Sequence, residues 1–233
     1  MTVLIIALAP VLLIFSYVYF RDKYEKEPIS ILLRGFLAGI LLIIPILFIE
    51  NFLGKISINF LPIPKAAWDG FFDASAMEEL FKFAAVFFLF WRDRNFNEKF
   101  DGIVYSVAVS LGFAAIENLL YVYKGTIGTG FFRAFTAVPA HALFGIIMGY
   151  YLGMARFNRW RRSGYLVKAI LIPWIFHGLY DFFILSGHPV LNFLFIPLML
   201  IMLVMAFSRM KQQSEASVFR FQPIKNDPDE PLA

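Results

Sequence analysis

The 233-residue chain has no cysteine, which excludes disulfides, thiol nucleophiles and cysteine-ligated metals. Charge is scarce as well: Asp, Glu, Lys and Arg make up 16% of the residues, against roughly a quarter in a soluble domain. Several compact catalytic signatures are missing. There is no H-E-x-x-H of a zinc protease, no G-x-S-x-G nucleophile elbow and no G-x-G-D. The first apolar stretch lacks a basic leader and an A-x-A-like cleavage site, so it reads as a retained helix rather than a signal peptide. No internal repeat interrupts the chain.

What the chain has in abundance is apolar length. Sixty per cent of its residues are hydrophobic, mean hydropathy is +0.70, and runs of about 20 apolar residues, enough to cross a hydrocarbon core, recur. The expected fold is all-α, a polytopic transmembrane helix bundle of about seven spans at 3–20, 31–53, 67–91, 102–123, 133–155, 165–185 and 191–208. Alternate loops carry 16 Lys and Arg against 4, and Lys82 alone falls inside a span. The positive-inside rule then puts the N-terminus outside and the C-terminus in the cytoplasm. Trp68 and Trp91 fall at the two ends of the third span, where interfacial anchors belong. The +4 net charge follows this topology and is no sign of nucleic acid. Residues 1–208 are expected to form one membrane-embedded domain in the cell membrane, and 209–233 a polar, mobile cytoplasmic tail.

Against this background the stretch FFDASAMEELFKFAAVFFLFW at 71–91 is anomalous, because it places Glu78, Glu79 and Lys82 inside a span. An ionised side chain at mid-bilayer costs roughly 2.5–3.5 kcal/mol even on the lenient insertion scale. Such groups therefore face the protein and have partners. Glu78 and Lys82 are i,i+4 and Glu79 and Lys82 are i,i+3, so the three share a broad helix face. A structural ion pair would explain them equally well if they stood alone. They do not. Glu117 and Asn118 lie in GFAAIENLLYVY, His141 heads the stripe Gly145, Gly149, Gly153 in the fifth span, and Pro173, His177 and Asp181 share a face of the sixth. A glycine stripe lets another helix approach closely. Glu78, Glu117, His141 and His177 lie about 6 to 11 residues from the expected outer ends of their spans. At about 1.5 Å per residue they converge within roughly 8 Å of depth.

Carboxylate and imidazole at one level suit the transfer of a proton from water to a leaving group, so hydrolysis without a covalent nucleophile is the first reading. Metal ligation by Glu and His from different helices is an alternative. So is a non-catalytic membrane scaffold. A proton-coupled transporter ranks lower, since transport favours polar groups spread along a path.

The motifs resemble the PrsW family of membrane-embedded proteases, relatives of the type II CAAX prenyl endopeptidases and bacteriocin-processing enzymes. EELFK matches an E-E-x-x-K motif and FAAIEN an F-x-x-x-E-N motif. The histidine after VPA and the segment HGLYD match two later His-bearing motifs, and YEKEP resembles the juxtamembrane segment. The likeness extends over roughly residues 20–185. It implies a glutamic-type intramembrane endopeptidase with no metal and no cofactor, embedded in the lipid bilayer and acting on a single-span membrane protein. An anti-sigma factor cleaved in a stress response is the expected case. Glu78 with His141 would activate water, while His177 and Asp181 would orient the substrate and hold the oxyanion. Asp181 stands where the prenyl endopeptidases often have Asn. Glu79 would pair with Lys82, and Glu117 and Asn118 would support the site or take part in catalysis.

Overall fold

The structure, a computed structural model, describes residues 2–220, with side chains from residue 4 onward. Among the described residues there are nine α-helices: α1 (Thr2–Arg21), α2 (Ile29–Leu53), α3 (Pro62–Trp68), α4 (Ala76–Phe90), α5 (Lys99–Lys124), α6 (Ile127–Phe135), α7 (Ala137–Phe157), α8 (Arg162–Leu185) and α9 (Pro189–Glu215). A π-helical stretch, Asp69–Ser75, joins α3 to α4 without a break in helical dihedrals. No strand occurs among the described residues.

Six helical segments are long and apolar enough to span a membrane, and the outer helices carry bare Leu13, Phe20, Ile44, Phe48, Phe193 and Val204 toward the surrounding phase. A helix hydrophobic all round needs either protein or lipid about it. The chain is a multi-pass membrane protein. The segment expected as the third span is not among the six: the π-helical stretch divides it, and Asp69, Asp73, Glu78, Glu79 and Lys82 interrupt its apolar run. The fifth span also begins differently. Pro139 has no N–H for the Phe135 carbonyl and its ring crowds that group, which favours a break here, although Pro10, Pro45, Pro173 and Pro197 are accommodated inside continuous helices. The chain accordingly breaks at Thr136, with α6 before it and Pro139 in the first turn of α7. At the other end, α9 continues past residue 208 to Glu215, where Gln213 is buried and donates to the Tyr150 carbonyl at 3.0 Å. The tail expected to be mobile lies, from residue 221, outside the described residues.

α5 and α7 form the centre. Every residue of α5 from Phe100 to Ala115 is buried, as is nearly all of α7. They can touch because glycine lets their backbones meet: a Cβ on Gly102 would lie 2.5 Å from the Gly149 carbonyl, and one on Gly149 or Gly153 would overlap the carbonyl of Gly102 or Lys99. The stripe Gly145–Gly149–Gly153 is thus the seam of the bundle. Gly39 and Gly112 make the same close approach between α2 and α5.

The π-helical stretch docks on α8. Its wider turn leaves the Phe71 carbonyl to accept from Trp174 Nε1 at 2.6 Å and from Ser75 Oγ at 3.2 Å. A Cβ on Gly70 would stand 2.9 Å from the Phe182 nitrogen, and one on Gly178 would collide with the Phe71 ring. This contact lays His177, next to Gly178, against Glu79 of α4.

Backbone packing at the seam makes a sharp test. Gly149→Ala is expected to lower stability by about 1–3 kcal/mol, because the added methyl overpacks a rigid carbonyl. Gly164→Ala, where nothing lies within 4 Å of the new methyl, is expected to change it by less than about 0.5 kcal/mol. Thermal unfolding of both variants in detergent measures the contrast; equal losses would refute the seam.

Candidate active site

Lys82 is fully buried in α4. Its ammonium donates to Glu78 Oε2 at 2.8 Å, to Glu79 Oε1 at 2.9 Å and to His141 Nδ1 at 3.2 Å. The three N–H bonds of an ammonium are thereby used up, and the Phe113 ring caps it with its centroid 4.4 Å from Nζ. The i+3 and i+4 spacing of one helix supplies two acceptors, and α7 supplies the third.

That third bond decides the state of His141. An ammonium can only donate, so Nδ1 holds the lone pair and Nε2 carries the proton. Nε2 donates to Glu117 Oε2 at 2.9 Å, and Arg133 from α6 reaches the same oxygen at 2.7 Å. His141 lies 4.0 Å from Glu78 Oε2 at its nearest. It is a neutral bridge between Lys82 and Glu117, with both ring nitrogens engaged.

His177 is held differently. Its Nδ1 lies 3.0 Å from Glu79 Oε1 and its Nε2 3.3 Å from Asp181 Oδ2. Glu79 Oε1 already accepts from Lys82, so Glu79 is a carboxylate and Nδ1 is the donor to it. Nε2 is left to the looser Asp181 contact. Phe144 stacks on the imidazole with a 4.5 Å centroid separation, and the rings of His141 and His177 meet edge to face at 5.2 Å.

A cavity of about 470 Å³ opens beside these groups, lined by Glu78, Glu117, His141, His177 and Asp181 among apolar and aromatic side chains. The structure therefore brings together residues of α4, α5, α7 and α8 that the sequence singled out. Three of them do not line the cavity. Lys82 and Glu79 are fully buried, and Glu79 Oε2 has no partner. Asn118 faces α1, donating to the Ala7 carbonyl at 3.2 Å and accepting from Arg133 Nε at 3.2 Å.

Three residues at the cavity escaped the sequence reading. Glu50 of α2 lines it, as do Arg133 and Tyr180. Glu50 was findable, being an acid within the apolar run LLIIPILFIENFL. Arg133 reads as a loop cation until the break at Thr136 carries it inward. Tyr180 has no distinguishing pattern.

One donor atom each of Glu78, Glu79, His141 and His177 lies within 4.8 Å of the others, a spacing that raises the question of a metal. The residues do not fit one. Lys82 Nζ stands within 3.2 Å of three of the four donors, so the cation they share is already part of the chain. A divalent ion at ~3.5 Å from that ammonium would meet a repulsion on the order of 10 kcal/mol at an effective dielectric of ~20.

The chain is similar to known proteins over most of its length. A family profile described as "PrsW family intramembrane metalloprotease" covers residues 27–208. The chain is 42% identical to Protease PrsW of Geobacillus kaustophilus over 76% of its length and 77% of the relative's. It is 38% identical to Protease PrsW of Oceanobacillus iheyensis over 94% and 99%, and 38% identical to that of Bacillus subtilis over 75% and 79%. No solved structure matches the chain. With the profile spanning most of the residues and these relatives aligned over three quarters or more of each chain, the chain belongs to the PrsW family of intramembrane proteases.

Proposed function

We propose that this protein is a glutamic-type endopeptidase that hydrolyses a peptide bond in or beside the membrane-spanning segment of a single-span protein. The observation that carries this reading is the division of labour at Glu78. One carboxylate oxygen is tied to Lys82, while the side chain lines the cavity. The oxygen Oε1 makes none of the protein hydrogen bonds at the site and is open to a water in that cavity.

In this mechanism Glu78 takes a proton from water as the water oxygen bonds to the scissile carbonyl carbon. The carbonyl oxygen gains the electron pair. His177, protonated at both nitrogens between Glu79 and Asp181, turns its Nε2–H from the 3.3 Å Asp181 contact to that oxyanion, a charge-assisted hydrogen bond in a dry site. Glu78 then passes its proton to the departing amine nitrogen, and the carbon–nitrogen bond breaks. Asp181 holds His177 charged rather than donating itself. His141 has neither ring nitrogen free for proton transfer from water, so its part is to position Lys82 and Glu117. This differs from the water-activating role that family resemblance implies for it. An anti-sigma factor is the substrate we favour, a reading supported by family membership.

Three outcomes are expected. Glu78→Gln keeps the shape and removes the base, so cleavage of a single-span reporter should fall by at least ~10³-fold while the protein still inserts and accumulates. Retained cleavage by the inserted variant would sink the mechanism. 1,10-Phenanthroline, which takes Zn²⁺ and leaves Mg²⁺ and Ca²⁺ largely alone, should not slow cleavage; loss reversed by added zinc would establish a metalloprotease. Lys82→Met strands two buried carboxylates and should cost about 3–5 kcal/mol in thermal unfolding along with activity. A stable, active Lys82→Met protein would show that the ammonium is dispensable.

A further inference from the structure

A second acidic cluster lies at the far end of α5, outside the site just described. The loop between α1 and α2 brings Asp22, Glu25 and Glu27 against Asn97, Glu98 and Asp101 at the start of α5. Asp22, Glu27, Glu98 and Asp101 are each at least 97% buried. Four buried acids at one helix start are costly unless something compensates them.

Their hydrogen bonds leave a repeated pattern. Glu27 accepts from the Tyr105 hydroxyl through Oε2 at 2.6 Å, and its Oε1 is buried with no partner. Asp101 accepts from the backbone nitrogens of Asn97 and Glu98 through Oδ2 at 2.8 and 2.7 Å, and its Oδ1 is buried with no partner. Glu25 accepts from Asn97 Nδ2 through Oε1 at 3.0 Å, and its Oε2 is likewise unpartnered. Asp22 Oδ2, Glu98 Oε2 and Asn97 Oδ1 complete a set of six such oxygens. None of the described ion pairs reaches these acids. Lys26, within the same loop, turns its ammonium to the backbone carbonyls of Tyr19 and Asp22.

We propose that Glu25, Glu27 and Asp101 bind a hard divalent cation, Mg²⁺ or Ca²⁺, which pins the α1–α2 loop to the N-terminus of α5. One oxygen from each of the three lies within 4.8 Å of the others, the spread expected of atoms about an ion with oxygen ligands at about 2.0–2.6 Å. The donors are all oxygen, which selects hard cations over zinc or copper. Each of the three carboxylates is held by a hydrogen bond to one oxygen and keeps the other unpartnered, and ligating carboxylates are usually oriented by such hydrogen bonds. Asn97 Oδ1 and waters would fill remaining positions.

The test uses the full chain purified in detergent, stripped with EDTA and dialysed into buffers of fixed ionic strength. MgCl₂ and CaCl₂ are titrated separately; bound metal is measured by equilibrium dialysis with mass spectrometry, and stability by thermal unfolding. The expected result is about one ion per chain, with Tm rising by roughly 5–10 °C at a hundredfold excess of ion over its Kd. The ion giving the lower Kd identifies the natural occupant. The double variant Glu27→Gln/Asp101→Asn should lose at least ~10-fold in affinity and lose the thermal response. Should that variant fail to fold, Glu25→Gln, at a half-buried position, is expected to weaken binding in the same direction. No bound ion in the parent protein would overturn the proposal and leave protons as the neutralising agent. Binding and thermal response undiminished in the variants would overturn it equally, placing the ion elsewhere.

Discussion

The buried ammonium of Lys82 is the interaction on which the rest of the site depends. A charge inside a membrane protein must be paired and fully hydrogen-bonded or it is too costly to keep. Lys82 meets that condition with three acceptors from two helices, and in doing so sets the state of each acceptor. Glu79 is ionised, which makes His177 Nδ1 a donor. His141 is neutral with its proton on Nε2, which directs it to Glu117. Glu78 is left with one oxygen restrained and one available. One cation therefore gives three chemically similar groups different roles, and the helix spacing E-E-x-x-K is the shortest arrangement that does so.

Such a network demands that helices meet at close and reproducible distances, and glycine supplies this. The α5–α7 seam sets the distance across which His141 reaches Glu117, since His141 lies one turn from Gly145, which packs directly on Ser106 and Ser110 of α5. On the other side, the π-helical stretch and Gly178 bring α8 onto the chain before α4 so that His177 meets Glu79. The carbonyl of Phe71 released by the π turn is not wasted, because Trp174 takes it up. Catalytic geometry here is a consequence of backbone contact more than of side-chain packing.

The helical bundle, its membrane setting and five of the ionisable residues at the cavity were legible in the sequence, because apolar length and misplaced charge are both one-dimensional signals. Glu78, Glu117, His141 and His177 could be grouped by depth alone, and the glycine stripe announced the seam. The π-helical stretch could not be read, since Asp69–Ser75 has no pattern distinguishing it from an ordinary helix; its wider turn is settled by Trp174, about a hundred residues away. The orientation of Asn118 toward α1 and the inward swing of Arg133 likewise depend on tertiary contacts. The acids of YEKEP read only as part of a juxtamembrane segment, because nothing local shows that Tyr105 of α5 reaches Glu27.

The two charged clusters on α5 illustrate opposite solutions to one problem. At Glu117 the cations belong to the chain: Lys82 pairs with Glu78 and Glu79, and Arg133 with Glu117, so each of these acids has an internal cation. At Asp101 the acids outnumber their partners, and each spends one oxygen on a neutral donor while withholding the other. A catalytic site benefits from fixed internal cations, whose positions do not change with solution conditions and which add no competing Lewis acid. A structural joint at the edge of the membrane has no such constraint. There, on the proposal above, an exchangeable ion would supply the missing charge and strengthen a loop contact that Asn97 and Tyr105 already make with Glu25 and Glu27.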